Sequence, residues 1–162
     1  MREKIVSAER AGAIAKELRD SGRKLVFTNG CFDLLHVGHV RYLAAARALG
    51  DALLVAINGD ESVRSLKGDG RPINRAEDRA EVVAALECVD HVVIFPEVRA
   101  TALLEKVRPA IYVKGGDYTP ESLDSEERSA LERIGAEIRI LPFEAGYSTS
   151  GLLEKLPGPG RA

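Results

Sequence analysis

The chain has 162 residues, 45% of them hydrophobic and 30% charged. That is the size and balance of one soluble domain with a normal core, and it excludes a disordered or collagen-like chain. No apolar run approaches the roughly 20 residues that span a bilayer, and the opening Met-Arg-Glu-Lys-Ile-Val lacks the apolar block of a signal peptide. Two cysteines, Cys31 and Cys88, are too few for a secreted disulfide scaffold, which points to the reducing cytoplasm. A net charge of −2 argues against general binding of nucleic acid or anionic membrane. It leaves room for a local basic site for a small phosphorylated ligand.

Strand-like and helix-like patterns alternate along the chain. Ala11, Ile14, Ala15 and Leu18 recur at helical spacing, with Gly22 as a stop. Residues 24–28 read as a buried strand. A helix is predicted over 38–49, with Gly50 at the C′ position. Residues 52–57 form a second strand, stopped by Asn58-Gly59. Asn74 caps a predicted helix over 75–86, with Glu77 completing a capping box. A third strand covers 91–95, a helix 102–107, and a short fourth strand 111–113. A helix follows over 125–134, a fifth strand over 137–141, and a last helix over 148–156. The whole is read as one domain, 1–156 with its core from residue 24, and a flexible Pro/Gly tail over 157–162. Continuous apolar strands indicate a sheet covered on both faces. The expected fold is a doubly wound, Rossmann-like α/β domain with a five-stranded parallel sheet and ligands at the carboxyl ends of the strands.

The segment after the first strand is Thr28-Asn29-Gly30-Cys31-Phe32-Asp33-Leu34-Leu35-His36-Val37-Gly38-His39. Two of the chain's three histidines flank a glycine where a helix begins. Gly38 lets a phosphate approach the backbone N–H groups, and the helix terminus adds partial positive charge. Both imidazoles can donate hydrogen bonds to phosphate oxygens as charge shifts during transfer. Cys31, His36 and His39 fall short of a zinc set, because no paired CxxC and no fourth ligand accompany them. Neither GxxxxGK[ST] nor a GxGxxG after a strand is present, so a P-loop and a conventional dinucleotide site are disfavoured.

This segment resembles the nucleotidyltransferase superfamily marked by HxGH. Further runs resemble its heptose 1-phosphate adenylyltransferase branch in stand-alone form: Arg64-Ser65-Leu66-Lys67-Gly68-Asp69-Gly70-Arg71-Pro72-Ile73-Asn74, Val113-Lys114-Gly115-Gly116-Asp117-Tyr118 and Tyr147-Ser148-Thr149-Ser150. The similarity covers residues 24–156. Phe143-Glu144-Ala145-Gly146 lacks the arginine that cytidylyltransferases of the glycerol-3-phosphate type carry there, and Ser150 stands where threonine is usual. The resemblance implies ATP and a sugar 1-phosphate as substrates, Mg²⁺ bound mainly through ATP with no metal-ligating residues of the protein, and a homodimer or larger oligomer.

By resemblance, His36, His39 and Lys67 are catalytic. Lys67 comes from a Gly-rich loop that closes over the triphosphate, and Arg71 of the same loop is assigned to the sugar phosphate. Thr28 adds a hydroxyl to the phosphate cradle, while Asn29, Gly30, Phe32 and Gly38 shape the nucleotide pocket. Asp33 has three open readings: holding the loop, facing the metal–phosphate cluster, or capping the helix. Arg79 either reaches the phosphates or pairs with Glu77 or Glu81 on the helix surface. Asn58 and Asp60 are placed at the sugar phosphate, with a helix cap the alternative for Asp60. Lys114 and Gly115 are expected at the nucleotide, and Gly116, Asp117 and Tyr118 at the sugar phosphate, unless this run is a plain turn. Ser148, Thr149 and Ser150 are expected to grip phosphate or adenine, with N-capping an alternative for Ser148. The competing functions are a sister enzyme acting on glycerol 3-phosphate or another small phosphorylated acceptor, and a nucleotide-sensing module without turnover.

Overall fold

Strand β1 (Leu25–Gly30) is the middle of a five-stranded sheet, with β2 (Ala52–Asn58), β3 (His91–Phe95), β4 (Ile111–Gly115) and β5 (Glu137–Leu141) arranged β3-β2-β1-β4-β5. Every pairing is parallel. The computed structural model describes residues 1–116 and 119–142. The predicted helix over 148–156 and the tail after it lie outside the described residues. Among the described residues the α-helices are α1 (Ala8–Asp20), α2 (Val37–Arg47), α3 (Asp60–Lys67), α4 (Ala76–Ala84), α5 (Thr101–Val107) and α6 (Ser125–Ile134).

The central strands are largely apolar because helices cover both of their faces, and β2 is buried along its whole length. Leu25 and Phe27 of β1, Leu54 and Ala56 of β2 and Tyr112 of β4 pack with α1, α5 and α6. The alternate residues Val26, Leu53, Val55, Ile57, Ile111 and Val113 pack with α2 and α4. Burying each of the larger side chains contributes about 1.5–3 kcal/mol. β5 is an edge strand, and its Glu137 and Arg139 are exposed and paired with each other. Charge on an edge discourages pairing with a further strand.

Strand order runs one way from β1 through β2 to β3 and the other way through β4 to β5. The reversal leaves a crevice between the carboxyl ends of β1 and β4, where doubly wound sheets bind ligands. The topology thus selects two of the five strand ends.

Some local expectations are corrected. Helix α3 follows β2 after Gly59; a short helix was expected there only as one that Asp60 would cap, and its extent was not read. Arg75, not Asn74, is the N-cap of α4, and it makes no side-chain capping bond. Gly50 is no C′ residue, because α2 ends at Arg47 and Gly50 lacks a positive φ. It is required for close approach: a Cβ there would lie 2.8 Å from the Lys24 carbonyl oxygen and 2.7 Å from Val26 Cγ2. Gly50→Ala is therefore expected to destabilise the protein by about 1–3 kcal/mol, the scale of overpacking. Urea denaturation checks this; an unchanged midpoint would show that the α2–β2 connection can move aside.

Candidate active site

The β1–α2 loop runs from Cys31 to His36, and two features shape it. Gly30 lies under the Phe32 ring, where a Cβ would meet Phe32 Cε2 at 3.1 Å. Phe32 itself has φ +47°, an uncommon conformation for a bulky residue. Such strain costs of order 1–3 kcal/mol and clusters at functional sites. Here it carries the ring to within 5.7 Å of the His39 ring, centroid to centroid.

His36 is the N-cap residue of α2 and His39 is its third residue. One helical turn brings the two rings together, with centroids 4.0 Å apart and planes at 43°. His39 Nδ1 accepts the backbone N–H of His36 at 3.3 Å. Burial pushes the His39 pKa down to about 4, and the neighbouring His36 adds to the effect. Burial also lowers that of His36. Gly38 is buried in the same first turn. Two polar rings thus stand beside the partial positive charge of a helix terminus, an arrangement that suits a polyanion.

The remaining polar groups divide into those at the site and those that build it. Asp33 builds it. Its carboxylate accepts Arg71 Nε at 2.7 Å, the Ile73 N–H at 2.9 Å and the Asn74 N–H at 2.9 Å. Asn74 Nδ2 donates to the Asp33 carbonyl at 2.8 Å. Of the three readings open for Asp33, the structure selects the loop-holding one. Arg71, expected at the sugar phosphate, is occupied as this carboxylate's partner.

Arg79 is 1% exposed, and it pairs with neither Glu77 nor Glu81. Its Nη1 donates to the Cys31 carbonyl at 2.5 Å, its Nε to the Asn74 carbonyl at 3.0 Å, and its Nη2 to Asp60 at 2.8 Å. The expectation that Arg79 reaches the phosphates is corrected: the guanidinium is buried and engaged with three chain segments. Asp60 is the first residue of α3 rather than its cap, which is Gly59, and its carboxylate answers Arg79.

Two further assignments are revised. Thr28 is fully buried, and its hydroxyl lies 2.8 Å from that of Tyr42. Tyr42 donates to the Val113 carbonyl at 3.1 Å, so Thr28 is the donor to Tyr42. This hydroxyl ties β1 and β4 together through α2 and is no part of a phosphate cradle. Asn58, at the end of β2, is 3% exposed and donates to the carbonyls of Glu97 and Val98, which spends its amide on holding the β3–α5 connection. Asn29 accepts from the Tyr112 hydroxyl at 2.9 Å.

Lys67 stands exposed at the end of α3, before Gly68 at φ +91° and Gly70 at φ +86°. Burial raises the Cys31 thiol pKa, while Lys67, Arg79 and Arg71 oppose it. Lys114 and Gly115 end β4 on the other side of the crevice. Burial lowers the Lys114 pKa, and Glu127 and Cys31 oppose this. Gly116 follows at φ +78° and donates its N–H to Leu141 at 3.0 Å. Asp117, Tyr118, Ser148, Thr149 and Ser150 lie outside the described residues. Among the described residues no group of three His, Cys, Asp or Glu side chains could hold a metal ion, and no helix is long and apolar enough to cross a membrane.

Tyr42, Tyr112 and the Ile73 and Asn74 amides were not foreseen. A tyrosine on an apolar helix face reads as core, and a backbone amide has no side-chain signature. Only the run of aspartate, arginine and asparagine around the two loops hinted at mutual bonding.

A parallel sheet with an imidazole pair on a helix terminus at its switch point defines a nucleotidyltransferase, and the chain belongs to the cytidylyltransferase-like family, whose model matches residues 27–154. More particular relatives are the bifunctional protein HldE of Geotalea uraniireducens and that of Geobacter sulfurreducens. The first is 48% identical over 153 residues, covering 94% of this chain and 31% of the relative. The second is 48% identical over 146 residues, covering 90% of this chain and 29% of the relative. The chain thus spans about a third of the length of these relatives. Among solved structures, the lipopolysaccharide core biosynthesis protein of Thermoplasma volcanium is 28% identical with TM-score 0.63, covering 76% of this chain and 98% of that one. A pantoate–β-alanine ligase from Francisella tularensis shares the fold at 14% identity and TM-score 0.59, covering 95% and 73%.

Burial alone would raise the Asp33 pKa, but the Asn74 and Ile73 amides and Arg71 outweigh it and hold the pKa below the usual value. A depressed carboxylate supplies stability that is complete above its unfolded pKa of about 3.9 and is lost as pH falls through the folded value. Asp33→Asn is expected to cost about 1–3 kcal/mol at neutral pH, a gap that narrows below about pH 4. Urea titrations across the acid range check this; a gap that stays constant would show that the carboxylate charge does not hold the loop.

Proposed function

We propose that this chain transfers the adenylyl group of ATP to D-glycero-β-D-manno-heptose 1-phosphate, giving ADP-heptose and pyrophosphate. The observation that carries the reading is the imidazole pair, 4.0 Å apart at the N-terminus of α2, beside the β1–β4 switch point. The identity to HldE relatives over nearly the whole chain supports the acceptor class.

The anomeric phosphate of the acceptor attacks the α-phosphorus of ATP in line. A bond forms from its oxygen to that phosphorus, the bond to the β-phosphate oxygen breaks, and pyrophosphate leaves with the electron pair. The attacking oxygen is already anionic, so no strong base is required. The chain's work is positioning and charge stabilisation. The α2 terminus, His36 and His39 meet the triphosphate, and Lys67 adds a cation from the C-terminal end of α3. Asn29, Gly30 and Phe32 border the nucleotide, while Lys114, Gly115 and Gly116 face it across the crevice. The substrate is MgATP, whose ion is held by phosphate oxygens and water; the chemistry belongs in the cytoplasm, where ATP is supplied.

Pyrophosphate release decides the matter when ATP and CTP are each tested against heptose 1-phosphate, glycerol 3-phosphate and no acceptor. The expected pair is ATP with heptose 1-phosphate. Turnover only with another pair would move the chain to a sister activity, and ATP binding with no pyrophosphate from any acceptor would make it a sensor. His39→Ala is expected to lower kcat roughly 10²–10³-fold, the scale for losing one positioned donor; near-normal turnover would remove the ring from the chemistry.

A further inference from the structure

The H-x-G-H spacing presents its two imidazoles as equivalent, but the geometry does not. His39 Nδ1 is spent inside the fold, where it accepts the backbone N–H of His36 and so closes the first turn of α2. A ring nitrogen that accepts a hydrogen bond carries no proton, and a neutral imidazole then has its proton on the other nitrogen. We propose that His39 meets the α-phosphate as a neutral imidazole with its single proton on Nε2, locked in that tautomer by the cap of the helix on which it stands.

Charging His39 would place a proton on Nδ1 and break the cap. Among the described residues the rings beside it are those of His36 at 4.0 Å and Phe32 at 5.7 Å, centroid to centroid, and no carboxylate among them acts on it to favour an imidazolium. Burial and His36 both push its pKa down, to about 4, which agrees with a ring that stays neutral at working pH. The neutral ring donates along a fixed direction without bringing a charge that must be desolvated. The cationic part of the site falls to Lys67 and to the substrate's own ion. The donor role rests on the adenylyl-transfer reading, whereas the tautomer is a property of the free protein.

The first measurement needs no turnover. A long-range ¹H–¹⁵N spectrum of the free, full-length protein near neutral pH shows three imidazoles, assigned with His36→Gln, His39→Gln and His91→Gln. The expected His39 pattern has Nε2 protonated and Nδ1 unprotonated. An Nδ1–H tautomer or a doubly protonated ring would overturn the proposal, whatever the pyrophosphate assay gives. The second measurement separates the two nitrogens. An asparagine oxygen can stand at the Nδ1 position and keep the cap, while a glutamine nitrogen can stand at the Nε2 position and keep the donor. His39→Asn is therefore expected to hold its Tm but lose kcat roughly 10²–10³-fold. His39→Gln is expected to fall in Tm by roughly 2–4 °C while keeping kcat within about tenfold of the wild type. The opposite crossing, or equal loss in both variants, would contradict the assignment.

Discussion

A buried guanidinium holds the site-forming segments in place. Arg79 joins the loop after β1, the start of the helix after β2 and the segment before α4 through one planar fork. Removing a charge from water is costly, and it is tolerated here because two carbonyls and a carboxylate receive the donors in fixed directions. A lysine could not reproduce that pattern, since its ammonium is a point charge without a fork. Asp33 repeats the logic with opposite sign, gathering Arg71 and two amides of the α3–α4 connection. The histidine turn therefore sits on a frame whose polar groups are saturated by the protein itself. That frame is where several residues first assigned to ligand binding are found.

The frame also explains how a chain of net charge −2 can receive a triphosphate. Two carboxylates beside the site are paired within the fold: Asp33 with Arg71 and Asp60 with Arg79. Among the described residues, Lys67, Lys114 and the terminus of α2 contribute positive field at the crevice. Two neutral rings at that terminus complete a pocket whose attraction for anions is local, in keeping with a small phosphorylated ligand rather than an extended polyanion.

The architecture was legible because buried parallel strands announce themselves as continuous apolar runs. The bounds of β3, β5 and α6 agree with those read from sequence. The bounds of α3 were not read because its Asp-Glu-Ser start resembles a polar loop, and Gly50 was misassigned because a close backbone approach looks like a cap. The histidine turn was legible from residue type and spacing. What spacing could not convey was which polar groups would be consumed within the fold. Thr28, Asn58, Asp60 and Arg79 all carry groups that suit a phosphate or a sugar. Each is instead taken up by a partner distant in sequence: Tyr42, the 97–98 carbonyls, Arg79, and the Cys31 loop.

The most direct measurement is a crystal structure of the full chain with a non-hydrolysable ATP analogue and Mg²⁺. The expected result has the triphosphate against the first turn of α2, within hydrogen-bond distance of the His36 and His39 rings, with Asp33 and Arg79 still in their internal bonds. A triphosphate bound elsewhere, as in the cleft lined by Arg10, Arg47 and His91 at the amino ends of the strands, or rings turned away from it, would contradict the account.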